Sequence, residues 1–264
     1  MMHKIDRSNP FGCTPKAFIL EYVQKRVGIV TGAKVLDFGC RDGDFLFELK
    51  KRTPQVSAIG VDLDGEAIAK AKAKKIDIDF RHIQKNHKFN VPDNTFDVVT
   101  IIGVVEHVFD QVSLLRELTR ILKHEGVMLV AVPGQHLFSF LDMGNFKFRF
   151  PRLHKFFYRL SHSEEDYRAR YVSNEFGCIG DIETEKAWHE HFSQSSMQRL
   201  LNQVGHLEIV EKEGMGFFHR ILNNFKYFLP KRIKPSIQGV IDWDFQKFSQ
   251  TELIFILKKK FNKG

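Results

Sequence analysis

Cysteine is scarce in this chain. The three residues in 264, Cys13, Cys40 and Cys178, are odd in number and widely spaced, which argues against a disulfide framework and gives no zinc-ligand spacing. Long hydrophobic runs are missing too. The longest uncharged apolar stretch, V-V-T-I-I-G-V-V from Val98 to Val105, falls far short of the roughly 20 residues a membrane-spanning helix needs. The opening residues, M-M-H-K-I-D-R-S-N-P, contain no apolar segment of signal-peptide type. There is no internal repeat and no low-complexity tract. These absences lead to the expectation of a cytoplasmic protein.

Negative charge is also in short supply. The 32 acidic residues face 40 Lys and Arg, for a net charge of +8 and a pI near 9.3. That balance favours anionic partners: nucleic acid, a phospholipid surface or a phosphate-bearing substrate. What the chain has in plenty is phenylalanine, 26 residues, many of them late in the sequence. A hydrophobic content of 43% is ordinary for a globular protein and predicts a packed core.

Short apolar strands alternate with amphipathic helices. Pro15 to Val30 has a helical stripe of Phe18, Ile19, Tyr22, Val23 and Val27. Strands are predicted at 35–38, 56–61, 76–83, 96–102 and 127–132, with helices at 44–50 and 65–73 and one capped by Asp110. Gly126 is read as ending the turn after that helix. The β-branched run from Phe96 to Ile102 is the mark of a strand buried on both faces. Such alternation means βαβ units and a parallel sheet. After Pro133 the rhythm breaks, and residues 134–187 read as a mostly helical insertion. It resumes at Ser193, an N-cap flanked by Phe192 and Met197 as a hydrophobic staple. Met197, Leu200, Leu201 and Val204 form the stripe that follows, and Gly205 stops it. Strands at 207–210 and 252–257 enclose a second insertion, 216–248, rich in aromatic and basic residues.

Val35 to Phe45 reads V-L-D-F-G-C-R-D-G-D-F. A strand that ends in a Gly-rich turn at a helix start suits an anionic or polar cofactor. The spacing D-x-G-x-x-x-G differs from the G-x-G-x-x-G of dinucleotide folds. I-G-V-D-L-D, Ile59 to Asp64, is a second strand ending in an acid. Asp62 could accept both hydroxyls of a ribose, whereas Asp64 fits a helix N-cap.

These two stretches resemble the first and second motifs of the class I S-adenosylmethionine-dependent methyltransferases. P-D-N-T-F-D-V-V (Pro92 to Val99), G-V-V-E-H-V (Gly103 to Val108) and R-I-L-K-H-E-G-V-M-L-V-A-V-P (Arg120 to Pro133) resemble the approach to the fourth strand, its exit and the fifth-strand segment. The resemblance implies one methyltransferase domain over 1–264, with a doubly wound, mostly parallel, seven-stranded Rossmann-like sheet whose last strand is antiparallel. It implies S-adenosyl-L-methionine as cofactor and S-adenosyl-L-homocysteine as product. Asp37, Gly39 and Cys40 would meet the amino-acid end of the cofactor, and Gly43 would open the helix. Asp62 would hold the ribose, Leu63 would face the adenine, and Gly103 and Glu106 would lie near the methionine portion. Two positions depart from the family. Arg41 stands where a glycine is usual, and Q-K-N at Gln84 to Asn86 replaces an acid that often meets the adenine.

Methyl transfer to a hydroxyl needs a base, and imidazole is the usual one at neutral pH. A-W-H-E-H-F-S, Ala187 to Ser193, offers His189 and His191 on one face of an extended segment. The same pair could instead shape the loop; His107 and His136 are the other candidates. No metal is expected. The insertion 134–187 is expected to be a lid over the substrate. Phe217 to Arg232 carries an apolar face and a basic one, and suits either a membrane interface or packing. Leu141 to His154 mixes aromatic and basic residues and weakly resembles methyltransferases of bacterial surface-polysaccharide clusters. The expected acceptor is therefore a saccharide or glycolipid-linked sugar hydroxyl, with a small aromatic or quinone-like lipid as the alternative. A further alternative is a catalytically weak cofactor-binding protein. Peripheral contact with an anionic membrane, at its inner face, is compatible with the charge. No RNA-binding module or base-methylation motif accompanies the core, which argues against nucleic acid.

Overall fold

The computed structural model describes residues 10–12, 14–28, 32–84, 90–137, 139, 145, 149–160, 162–171, 190–219, 221–222 and 232–260. Seven apolar segments pair into one sheet: β1 (Lys34–Phe38), β2 (Ser57–Asp62), β3 (Asp79–His82), β4 (Phe96–Ile102), β5 (Leu122–Pro133), β6 (Leu207–Met215) and β7 (Glu252–Lys259). The strand order is β3-β2-β1-β4-β5-β7-β6. Only β7 runs antiparallel to its neighbours. Around the sheet lie α1 (Pro15–Gly28), α2 (Asp44–Arg52), α3 (Gly65–Ala73), α4 (Gln111–Ile121), α5 (Pro151–Arg159), α6 (Glu164–Tyr171), α7 (Gln194–Val204) and α8 (Lys234–Lys247).

The central strands are apolar at consecutive positions because each face has its own helical cover. Val98, Leu129, Ile254 and Ile256 pack on one side with residues of α1, α2, α3 and α8. Their neighbours Val99, Met128, Val130, Phe255 and Leu257 pack on the other side with α4 and α7. The chain builds β1, β2 and β3 outward, then crosses back to lay β4 on the other side of β1. That reversal opens a crevice at the carboxyl ends of β1 and β4, the usual ligand position in open α/β sheets.

Local signals govern the helix ends. Asp64 accepts a hydrogen bond from the N–H of Ala67 at 2.9 Å, and Asp110 from that of Ser113 at 2.9 Å. Ser193 and Ser196 form a reciprocal capping box, and Met197, Leu200, Leu201 and Val204 are buried beneath it. Three strands differ from the sequence expectation. β3 is shorter than 76–83, because Lys75 adopts a positive φ of 51° and the N–H of Ile78 turns back to the carbonyl of Ile76. β5 begins at Leu122, which pairs with Phe96 before the register jumps to Val98 opposite Val127. Gly126 therefore lies inside this irregular strand rather than ending a turn. β6 runs on to Met215, although its outer half, E-K-E, lacks apolar alternation. It is an edge strand, where charge and a bulge between Ile209 and Glu211 protect against further pairing.

The connection from β6 to β7 is held by a buried carboxylate. Asp244 on α8 is wholly enclosed and accepts hydrogen bonds from the N–H groups of Phe217, Phe218 and His219 at 2.9, 3.0 and 2.8 Å. A buried charge is tolerable only with such partners. Asp244→Ala strips three donors of their acceptor and is expected to cost roughly 3 kcal/mol or more. Asp244→Asn, which keeps the shape, should fall between. Urea unfolding midpoints measure the series, and an alanine variant as stable as wild type would mean that other groups satisfy these donors.

Candidate functional site

After β1 the chain turns at Gly39, with φ 81°. The N–H groups of Gly39 and Cys40 donate to the carbonyl of Val61 at 2.8 and 3.0 Å, and that of Arg41 donates to Asp62 Oδ2 at 2.7 Å. The loop is thus fastened to the end of β2. Asp62 Oδ1 also accepts from the N–H of Asp64 at 2.9 Å. Arg41 has φ 50°, the conformation glycine would supply without strain, and its side chain is exposed to solvent. The departure from glycine is absorbed by turning the side chain outward.

The glycines answer to protein neighbours. A methyl group on Gly39 would run into Val104, in the loop after β4, and one on Gly43 would lie 2.5 Å from the ring of Phe80. Gly43, at φ 79°, forms the N-cap of α2. Its lack of a side chain is therefore required by the packing of the β3 residue Phe80. Gly103 follows β4 with φ 68°, and among the described residues only Glu106 Oε1, at 3.6 Å, lies near its missing side chain. Leu63 is half-buried beside the end of β2.

Two buried acids dominate the electrostatics. Asp37 Oδ1 accepts a hydrogen bond from Thr100 Oγ1 of β4 at 2.7 Å. Burial pushes its carboxyl up to about 6, opposed by the Thr100 bond and Lys16 and aided by Asp62. Burial, with Asp37 and Asp62 adding to it, pushes the Cys40 thiol well above its ordinary value. That cysteine stays protonated and serves as packing rather than as a nucleophile.

At the other side of the crevice, a 3₁₀ turn at Val105–His107 buries Glu106. Gln111 Nε2 donates both to the carbonyl of Val105, at 2.9 Å, and to Glu190 Oε2, at 2.8 Å. The segment after the first insertion is in this way tied to the end of β4. It is tied to β5 as well: the N–H of Phe192 donates to the Pro133 carbonyl at 2.8 Å, and that of Gln135 to the Phe192 carbonyl at 2.7 Å. His191, between Glu190 and Phe192, therefore stands at the carboxyl edge of the sheet, half-buried, with Nε2 shielded from solvent. His107 Nδ1 and His136 Nε2 are shielded as well.

The described candidates share that edge: Asp37, Gly39, Cys40, Gly43, Asp62 and Leu63 at the ends of β1 and β2 and just beyond, Gly103, Glu106 and His107 after β4, His136 after β5, and His191 in the segment tied to β5. His189, Lys85 and Asn86 lie outside the described residues. The sequence reading missed Thr100, Gln111 and Glu190. Thr100 breaks an otherwise apolar run, and that was a usable signal. Gln111 and Glu190 are far apart in the chain and gave none. Among the described residues, no three His, Cys, Asp or Glu side chains gather to hold a metal.

Residues 13–212 match a family model described as a methyltransferase domain. A demethylmenaquinone methyltransferase of Staphylococcus saprophyticus is 30% identical over 151 residues, 55% of this chain and 64% of that protein. A ubiquinone biosynthesis O-methyltransferase of Vibrio campbellii is 27% identical over 124 residues, 46% of this chain and 53% of that protein. The chain spans between 41% and 64% of the length of the curated relatives it matches. In fold it is similar to a SAM-dependent methyltransferase from Archaeoglobus fulgidus, with a TM-score of 0.52 at 17% identity, over 92% of this chain and 94% of that one.

The Asp37 carboxyl makes stability depend on pH. Its folded value lies above the unfolded one, so the folded state holds the proton more tightly. The stabilisation is full below the ordinary aspartate range and is lost as pH rises through about 6. Asp37→Asn, still able to accept from Thr100, should therefore gain on wild type by roughly 2 kcal/mol between about pH 4 and pH 7. Paired urea titrations of the ligand-free proteins at the two pH values measure the gap; a constant difference would rule out the raised carboxyl.

Proposed function

The chain belongs to the methyltransferase-domain family, of the class I S-adenosylmethionine-dependent type, and on that premise we propose that it methylates a hydroxyl on an acceptor with an apolar, quinol-like body. The observation that carries this choice is the rim of the crevice. Leu137, four residues past β5, is 73% exposed, and Phe109, just past the turn after β4, is 61% exposed. Apolar side chains exposed on the loops that follow β4 and β5 suit an apolar ligand better than a sugar. The relatives named for ubiquinone and demethylmenaquinone support the apolar, quinol-like body, and the first of them, named as an O-methyltransferase, supports the hydroxyl. A saccharide acceptor drew its support from aromatic and basic residues between 141 and 154, several of which lie outside the described residues.

The residues after β1, β2 and β4 fit the cofactor. Gly39 and Gly43, pressed against Val104 and Phe80, set the path of the turn between β1 and α2. Each Asp62 oxygen already takes one backbone N–H and retains a lone pair for a ribose hydroxyl. Asp37 offers negative charge to the amino-acid end, and Leu63 an apolar contact to the base. Gly103 and Glu106 complete the opposite wall. When bound, S-adenosylmethionine supplies an electrophilic methyl group, so the chain has to supply position and a proton acceptor. His191 fills the second role, taking the hydroxyl proton on its imidazole. Glu190, held by Gln111, and Phe192, held by β5, keep the imidazole from swinging away.

Three measurements test this reading. With methyl-labelled cofactor, label should enter the organic phase when hydroquinone or lipid-extract acceptors are supplied, and stay out of a polysaccharide fraction; the reverse would favour the saccharide. Asp62→Ala should weaken S-adenosylhomocysteine binding by about tenfold or more in calorimetry, since charge-assisted hydrogen bonds are lost. Unchanged affinity would remove Asp62 from the site. His191→Gln should lower turnover by about 10²–10⁴ with that affinity nearly unchanged. Full turnover in this variant would exclude His191 as the base and leave His189, His136 and His107 to be tried in the same way.

A further inference from the structure

Helix α5 has more apolar surface than its own packing uses. Its inner side carries His154 and Tyr158, both buried, one helical turn apart. They close a small core with Tyr167 of α6: His154 Nδ1 lies 3.4 Å from the Tyr167 hydroxyl, and the rings of Tyr158 and Tyr167 meet edge to face at 5.6 Å. Lys155 and Arg159 reach Glu164 at 2.6 and 3.2 Å and lock the hairpin. These contacts hold the two helices together.

The outer side is different. Leu153, Phe156, Phe157 and Leu160 follow the spacing i, i+3, i+4, i+7, which is one continuous stripe on a helix. Their exposures are 44%, 60%, 38% and 65%. Phe150, just before the helix, is exposed as well. Arg152 projects next to this stripe and is exposed. Arg149, also exposed, lies just before the helix and near Arg152 in the sequence, whereas Lys155 and Arg159 are paired with Glu164 at the start of α6. An apolar stripe edged by cations matches the boundary between anionic headgroups and acyl chains, where Phe and Leu enter and Arg stays at headgroup level. A second copy of this chain suits the stripe poorly, since each copy carries a net charge of +8.

We propose that this outer face of α5 is a docking surface for an anionic phospholipid bilayer. The sequence alone offered Phe217 to Arg232 for that role; most of that stretch, 220 and 223–231, lies outside the described residues, and the stripe on α5 is a separate element. The hairpin lies in the connection whose two ends, Gly134 and Phe192, meet beside β5, so its stem rises from the same edge as the cofactor crevice.

The test uses the full chain without cofactor or acceptor, so it stands apart from the choice of acceptor. Co-sedimentation with phosphatidylglycerol/phosphatidylcholine vesicles should exceed that with pure phosphatidylcholine vesicles by about tenfold or more, and should fall with added salt. Phe156→Ser with Leu160→Ser should reduce binding to the anionic vesicles about tenfold or more, and Arg152→Glu should reduce it by a similar factor. These positions are exposed, so thermal midpoint and S-adenosylhomocysteine affinity should match wild type in each variant. Undiminished binding by both variants would overturn the proposal, as would absence of wild-type binding. A concentration-dependent dimer in sedimentation velocity that the double variant abolishes would assign the stripe to a second copy instead.

Discussion

Three consecutive N–H groups, those of Gly39, Cys40 and Arg41, are directed at the end of β2. The candidate site depends on that clamp. Backbone donors must find acceptors when water is kept away, and here the acceptors belong to the neighbouring strand. The loop after β1 therefore cannot move without β2. Asp62 plays two parts in consequence, since the carboxylate proposed for the ribose also organises the turn proposed for the amino-acid end. Gly39, pressed against Val104, couples the same loop to the exit of β4. The two walls of the crevice are set by direct contact between loops.

Most of the scaffold could be read from the sequence, because its signals are local. Asp64, Asp110 and Ser193 cap helices through their own neighbours. The apolar run from Phe96 to Ile102 announces a strand covered on both faces whatever the partner strands are. β6 was underestimated because an edge strand needs backbone pairing but no buried face, and its charged outer half carries no apolar period. The site was legible only as far as its motifs. The bond from Thr100 to Asp37 exists because β1 and β4 pair in a register that brings Asp37 opposite Thr100, and register is not written in either strand alone. Gln111 joins two segments 79 residues apart. Nor did the spacing of Gly43 disclose that Phe80, rather than a ligand, forbids a side chain there.

The connections after β5 and β6 follow a different logic from the sheet. Among the described residues, specific polar contacts hold each of them. The second is gathered by Asp244, one carboxylate serving three donors. The first forms a hairpin with a small polar and aromatic core of its own, built from His154, Tyr158 and Tyr167. Small cores give limited stability, which fits elements that meet an acceptor or a surface rather than support the fold.

The pairing of Phe192 with Pro133 and Gln135 closes the first insertion at its base. A chain that leaves the sheet and returns to the same point imposes no geometry on what lies between. Such a stem works as a socket: the residues between it can be lengthened, shortened or exchanged while β5 and α7 keep their places. Acceptor preference can then diverge among proteins sharing this sheet without disturbing the cofactor loops, and selection can act on the two parts separately.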